Sequence, residues 1–158
     1  STNKPSTNKP STPTTPAPEV KPTPSEPTAP EETSLSCSEI FSQITKDIEL
    51  AKLTDVDATL LSDLYGMDTS LLEDYYVKMP MMSFQITEIG VFKVKDVNNL
   101  DKVVASLNKR ASDIGQMLYP SLQETFDSRV LVTSGNYILF AIDENAAQIS
   151  ANFSNIVK

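Results

Sequence analysis

The stretch Ile86–Leu118, ITEIGVFKVKDVNNLDKVVASLNKRASDIGQML, reads as a core strand, a polar turn and the longest helix of the chain. Ile86 to Val94 is dense in β-branched and aromatic residues and runs out into Lys95-Asp96-Val97-Asn98-Asn99, as a strand leaving a core does. Simple alternation puts Ile89 and Val91 on one face and Phe92 and Val94 on the other. Two readings fit. A bulge at Gly90 would shift the register and gather Ile89, Phe92 and Val94 on one face; alternatively, the strand is covered on both faces. In the helix, Leu100, Val103, Val104, Leu107, Ala111, Ile114 and Leu118 recur at spacings of three and four and form one apolar stripe. Asn98 or Asn99 can accept from the free amides of its first turn, Asp101 complements the helix dipole, and Pro120 stops the helix.

On the N-terminal side, Ser36 and Glu39 have the spacing of a capping box, so a helix starts there with Cys37, Ile40, Phe41, Ile44 and Ile48 as its stripe. Asp57 caps a short helix, Ala58 to Tyr65, with Leu60, Leu61 and Leu64 inward and Gly66 as a left-handed stop. Tyr75 to Met79 reads as a strand ended by Pro80 and paired with Ile86 to Val94. On the far side of the long helix, Gln123 to Ser128 is a polar connection with room for a helical turn. Val130 to Thr133 and Tyr137 to Ile142 then form a hairpin around Ser134-Gly135-Asn136. Asp143 caps a last helix carrying Ala146, Ile149, Phe153 and Ile156, with Lys158 suited to its end. The expected fold is α+β: a four-stranded antiparallel sheet from two hairpin-plus-helix units, with two additional N-terminal helices. The two longer helices would share one face, and the first two would cover an edge or part of the other.

Composition divides the chain. Nine of the eleven prolines lie in residues 1–30, where Ser1–Pro5 and Ser6–Pro10 repeat Ser-Thr-Asn-Lys-Pro. Residues 1–34 are read as a disordered Pro/Ser/Thr-rich tether with polyproline II character, able to reach on the order of 100 Å if fully extended. Residues 35–158 are read as a single α+β domain. That domain holds ten Lys and Arg against seventeen Asp and Glu, a charge of −7, which argues against nucleic acid or an anionic membrane surface as the main partner. The start without an initiator methionine is read as that of a mature or trimmed chain.

Chemistry is constrained by what the sequence lacks. There is no histidine and a single cysteine, Cys37, so Ser-His-Asp and Cys-His catalysis, an intramolecular disulfide and the usual zinc sites are excluded. Cys37 is read as a small hydrophobe in a helix rather than a reactive thiol. Met79, Met81 and Met82 could hold a soft ion, but reading them as side chains that fill core gaps is preferred. Asp55, Asp57, Asp63 and Asp68 lack the glycine and glutamate of a calcium loop. Ser106 and Lys109 match a Ser-x-x-Lys spacing without its companion motifs. No catalytic, cofactor-binding or metal residue is therefore assigned. Tyr75 and Tyr76, with Lys93 and Lys95 on the partner strand, form a candidate interaction surface for an envelope protein, peptide or glycan.

Leu64-Tyr65-Gly66-Met67-Asp68, Glu88 to Asp96, Lys109-Arg110, Tyr119-Pro120 and Ser134-Gly135-Asn136-Tyr137, taken in this order, resemble a domain-of-unknown-function family of small lipoproteins from Gram-positive bacteria. The resemblance covers roughly Ile40 to Val157. It implies export, anchoring to the outer face of the cell membrane through a lipid-modified cysteine outside this chain, and a tether that raises the domain off the membrane. It carries no assigned activity. The expected function is a non-enzymatic extracytoplasmic binding or assembly module. The alternative is a small cell-envelope hydrolase using carboxylates such as Glu88, Asp143 and Glu144. Uncovered edge strands would also allow pairing into a homodimer.

Overall fold

The computed structural model describes residues 35–82 and 84–157; the tether reading and Lys158 lie outside them. The elements run α1 (Cys37–Ile44), β1 (Leu53–Asp55), α2 (Ala58–Tyr65), β2 (Leu72–Pro80), β3 (Glu88–Val94), α3 (Leu100–Gln116), α4 (Gln123–Asp127), β4 (Val130–Ser134), β5 (Tyr137–Ile142) and α5 (Ala146–Ile156). All strand pairs are antiparallel, in the order β1-β2-β3-β5-β4.

The expected four-stranded sheet is thus corrected to five strands, and the helix count to five. The added strand, β1, is three residues of Leu-Thr-Asp paired with the far end of β2, Leu53 opposite Pro80 and Asp55 opposite Lys78. It is held by backbone pairing, with Thr54 and Asp55 exposed, so it has no apolar alternation to betray it. β2 is nine residues long, extending the expected Tyr75–Met79 at both ends.

The layering is corrected as well. The two longer helices lie on opposite faces. On one side, Val103, Leu107 and Ala111 of α3 pack with Leu61 and Tyr65 of α2 over Val77, Phe92, Val94, Ile138, Phe140 and Ile142. On the other, Cys37, Ile40, Phe41 and Ile44 of α1 pack with Ile149 and Phe153 of α5 over Ile89, Val91, Leu139 and Ala141. The cause is in the central strands: six of the seven residues of β3 and all six of β5 are buried. A sheet apolar on both faces needs an apolar stripe on each, so the helices divide between them.

Gly90 forms no bulge. Its pairing with Val77 is in register with its neighbours, and the one shift between β2 and β3 falls between Leu72 and Asp74. A Cβ at Gly90 would stand 2.8 Å and 2.9 Å from the Phe92 ring and 3.2 Å from Val77 Cγ1, so the glycine admits that ring over the sheet. Gly90→Ala is expected to lower stability by about 1–3 kcal/mol through overpacking, read from denaturant unfolding.

Three local signals hold, while α1 ends at Ile44 and leaves Ile48 outside its stripe, and α3 ends at Gln116, short of Leu118. Ser36 and Glu39 form the capping box, Asp57 accepts from Leu60 N at 2.9 Å, and Gly66 stops α2 with φ 63°. Two caps are placed differently. Asp96, not an asparagine, caps the turn leading into α3, accepting from Asn98 N at 2.9 Å. Asp143 accepts from Asn145 N at 2.8 Å, one residue ahead of α5.

Candidate functional site

Glu88 opens β3 and is 1 % exposed. A carboxylate so buried must be paired and hydrogen-bonded. Arg110, from the middle of α3, donates Nε–H to Oε2 and Nη2–H to Oε1, both at 2.8 Å, giving a bidentate pair. The Tyr65 hydroxyl, at the end of α2, donates to Oε2 of the same carboxylate. The guanidinium stands 5.3 Å from the centre of the Tyr65 ring. Three elements are thereby joined through one carboxylate on the inner end of a central strand.

The electrostatics follow from burial. Withdrawal from water, and then the neighbouring Glu88 charge, hold the Tyr65 hydroxyl protonated well above its ordinary range. Burial works against the charge of Arg110, but the hydrogen bonds and charge of Glu88 outweigh it and raise the guanidinium above its ordinary value. Tyr65 is therefore a donor and Arg110 a fixed cation.

This cluster adjoins a cavity of about 390 Å³ lined by Met79, Pro80, Met81, Met82, Gln85, Ile86, Glu88, Arg110, Ile114, Met117, Leu118, Tyr119 and Leu122. The end of β2 and its loop form one wall, and the end of α3 and the connection to α4 form the other. The wall is mostly thioether and aliphatic. Met81, Met82, Met117 and Tyr119 are 58 %, 52 %, 75 % and 52 % exposed, so the rim offers large apolar side chains to solvent. Gln85 Oε1 is the one fully buried side-chain polar atom among the described residues that lacks a hydrogen-bond partner. Four of the five methionines of the chain line this cavity, and the fifth, Met67, is buried in the core.

The residues singled out from sequence are dispersed. Tyr75 and Tyr76 point to opposite faces: Tyr75 packs against the α3 core, while Tyr76 meets the Phe41 ring edge-on at 5.0 Å. Lys93 shares the face of Tyr76, 3.3 Å from Glu73 and over the Tyr137 ring, and Lys95 is exposed past the end of β3. Of the three carboxylates, only Glu88 lines the cavity, and both its oxygens are engaged. Asp143 accepts from the Thr87 hydroxyl at 2.8 Å and from Asn145 N, and Glu144 is exposed. The structure therefore does not bring two free carboxylates together for acid–base hydrolysis. The methionines read as gap fillers or soft-ion ligands line and rim the cavity. No group of three or more His, Cys, Asp or Glu placed to hold a metal occurs among the described residues.

Sequence reasoning did not identify Tyr65 and Arg110 as partners of Glu88, although all three lie in the stretches that carried the family resemblance. Cys37 is fully buried, and burial, followed by the charge of Asp74, pushes its thiol far above the ordinary range. It is expected to react with iodoacetamide far more slowly in the native protein than in urea, as followed by mass spectrometry.

No curated protein and no solved structure matches the chain. A family profile does, and it spans residues 46–143, less than the expected Ile40 to Val157. The matched region contains all five strands, α2, α3 and α4, together with every residue of the cavity and of the Tyr65–Glu88–Arg110 cluster, while α1 and α5 lie outside it. Its description is Domain of unknown function (DUF4358), and since it covers more than half of the sequence, the chain belongs to that family.

Proposed function

We propose that the domain is a non-enzymatic binding module that takes an apolar group into the methionine-rimmed cavity, and that it works outside the cell, held by a lipid anchor beyond this chain. The observation that carries the reading is the cavity itself: thioether and aliphatic walls, an exposed apolar rim and one polar cluster held in place by three elements. Such concave, mostly apolar sites with a few placed polar groups are where ligands bind, and methionine suits a wall that must adapt to its occupant. The extracytoplasmic part of the proposal is supported by the composition of residues 1–34, whose prolines, serines and threonines suit a spacer between an anchor and a domain.

The test is a thermal-shift screen of uncharged apolar fragments against the wild type and Met117→Glu. Met117 is largely exposed, so the variant is expected to stay within about 0.5 kcal/mol of wild type when unliganded. Fragments at a hundred times their Kd are expected to add about 2.7 kcal/mol to the wild type and little to the variant. A screen without hits, or with equal shifts in both proteins, would overturn the proposal.

A further inference from the structure

Four of the thirteen residues lining the cavity are methionine, against five in the whole chain of 158. A gap-filling methionine is buried, as Met67 is at 3 % exposure. Met81, Met82 and Met117 instead stand more than half exposed on the rim, two from the loop after β2 and one from the end of α3, and half-buried Met79 lines the same cavity. Filling gaps in the core therefore does not account for them. Nor does an apolar rim by itself, since leucine and isoleucine, which line the wall at Ile86, Ile114, Leu118 and Leu122, make an equally apolar surface without sulfur. What sets these four side chains apart is a soft, neutral thioether on a flexible stem, brought to one cavity from two walls.

From this set we infer that the mouth of the cavity is a site for a soft monovalent cation, Cu(I), held by the sulfurs of Met81, Met82 and Met117 with Met79 in the same cavity. The inference does not rest on the apolar ligand proposed above, which uses the wall where this uses the sulfur atoms. Ligand chemistry selects the ion. Thioethers favour Cu(I), whereas harder cations take carboxylate, carbonyl or imidazole. The chain has no histidine, and Glu88, the only carboxylate lining the cavity, has both oxygens engaged by Arg110 and Tyr65. Charge agrees with this choice. Glu88 and Arg110 neutralise one another, so a monovalent ion brings one positive charge to a balanced site, on a domain whose −7 attracts cations. The one thiol, Cys37, is buried with α1 and α5 on the opposite face of the sheet and does not line the cavity.

The test titrates silver nitrate, Ag(I) being the redox-inert analogue, into the full chain labelled with ¹³C at its methionine methyl groups, in chloride-free buffer. A second titration, under anaerobic conditions, uses Cu(I) in competition with bicinchoninate. Saturable uptake of one ion per chain is expected, moving the methyl signals of Met81, Met82 and Met117 and leaving that of Met67 in place. Zn(II) is expected to move none of them. Uptake is expected to be lost in Met81→Leu/Met82→Leu/Met117→Leu, whose changes conserve volume at exposed positions, and to be kept in Cys37→Ala. Failure of either ion to bind, an equal response to Zn(II), equal uptake by the triple variant or loss of uptake in Cys37→Ala would overturn the inference. The wild-type signals locate the ion without help from any variant. Apolar fragments are expected to bind the triple variant as they bind the wild type, which keeps the two proposals apart. Uptake of Ag(I) and Cu(I) without any fragment hit would overturn the apolar ligand and leave the ion site, and fragment hits without uptake would do the reverse.

Discussion

Glu88→Ala is expected to lower the unfolding free energy by about 3–5 kcal/mol, the cost of breaking a buried ion pair by removing one partner. The substitution leaves Arg110, 11 % exposed, without its counter-charge and strands the Tyr65 hydroxyl in the core. Replacing both charges tests the cause: Glu88→Leu with Arg110→Met is expected to recover the part of the loss that comes from the unpaired guanidinium, because the pair must offset its own desolvation, and to keep the part that comes from the stranded Tyr65 hydroxyl. Denaturant unfolding of the two variants measures this directly. A single-variant loss under about 1 kcal/mol would mean that the pair is hydrated and does not hold α2, α3 and β3 together. The double variant also separates structure from function. If the cluster serves binding, that protein should fold and fail to take the apolar fragments.

The second large effect tests the layering. Leu139 and Phe140 are neighbours on β5, both essentially inaccessible, facing the α1–α5 and α2–α3 layers respectively. Phe140→Ala is expected to cost about 3–5 kcal/mol and Leu139→Ala about 2–5 kcal/mol. A sheet covered on one face would show a large loss at one position and a change within about 0.5 kcal/mol at the other. Two large losses at adjacent residues require an apolar layer on each side.

That layering was written in β3 and β5, where Val91-Phe92 and Leu139-Phe140-Ala141 leave no polar face. The helices themselves gave no sign of which side each would take, because an amphipathic stripe states only that it must be buried. Helix starts and stops were readable because Ser36, Glu39, Asp57 and Gly66 act on backbone groups within a few residues. β1 was not readable, since its pairing is a matter of backbone groups some 25 residues apart in sequence and its side chains carry no pattern. The site failed to show for a similar reason. Glu88 could be noticed as a carboxylate at the head of an apolar strand, but Tyr65 and Arg110 lie 23 and 22 residues away on other elements. Only the fold makes them neighbours. The tyrosine and lysine surface rests on adjacency along a strand, and alternation sends Tyr75 to the α3 side and Tyr76 and Lys93 to the other.

The claim that the methionine-rimmed cavity is the binding site is tested most directly by NMR of protein labelled with ¹³C at its methionine methyl groups. Met79, Met81, Met82 and Met117 line the cavity, and Met67, buried in the core, is an internal control. On titration with an uncharged apolar fragment that stabilises the wild type in the thermal-shift screen, the four cavity signals are expected to move together along one saturation curve while Met67 stays in place. A ligand that shifts Met67 alone, or that leaves the four signals unmoved while binding elsewhere, would contradict the account.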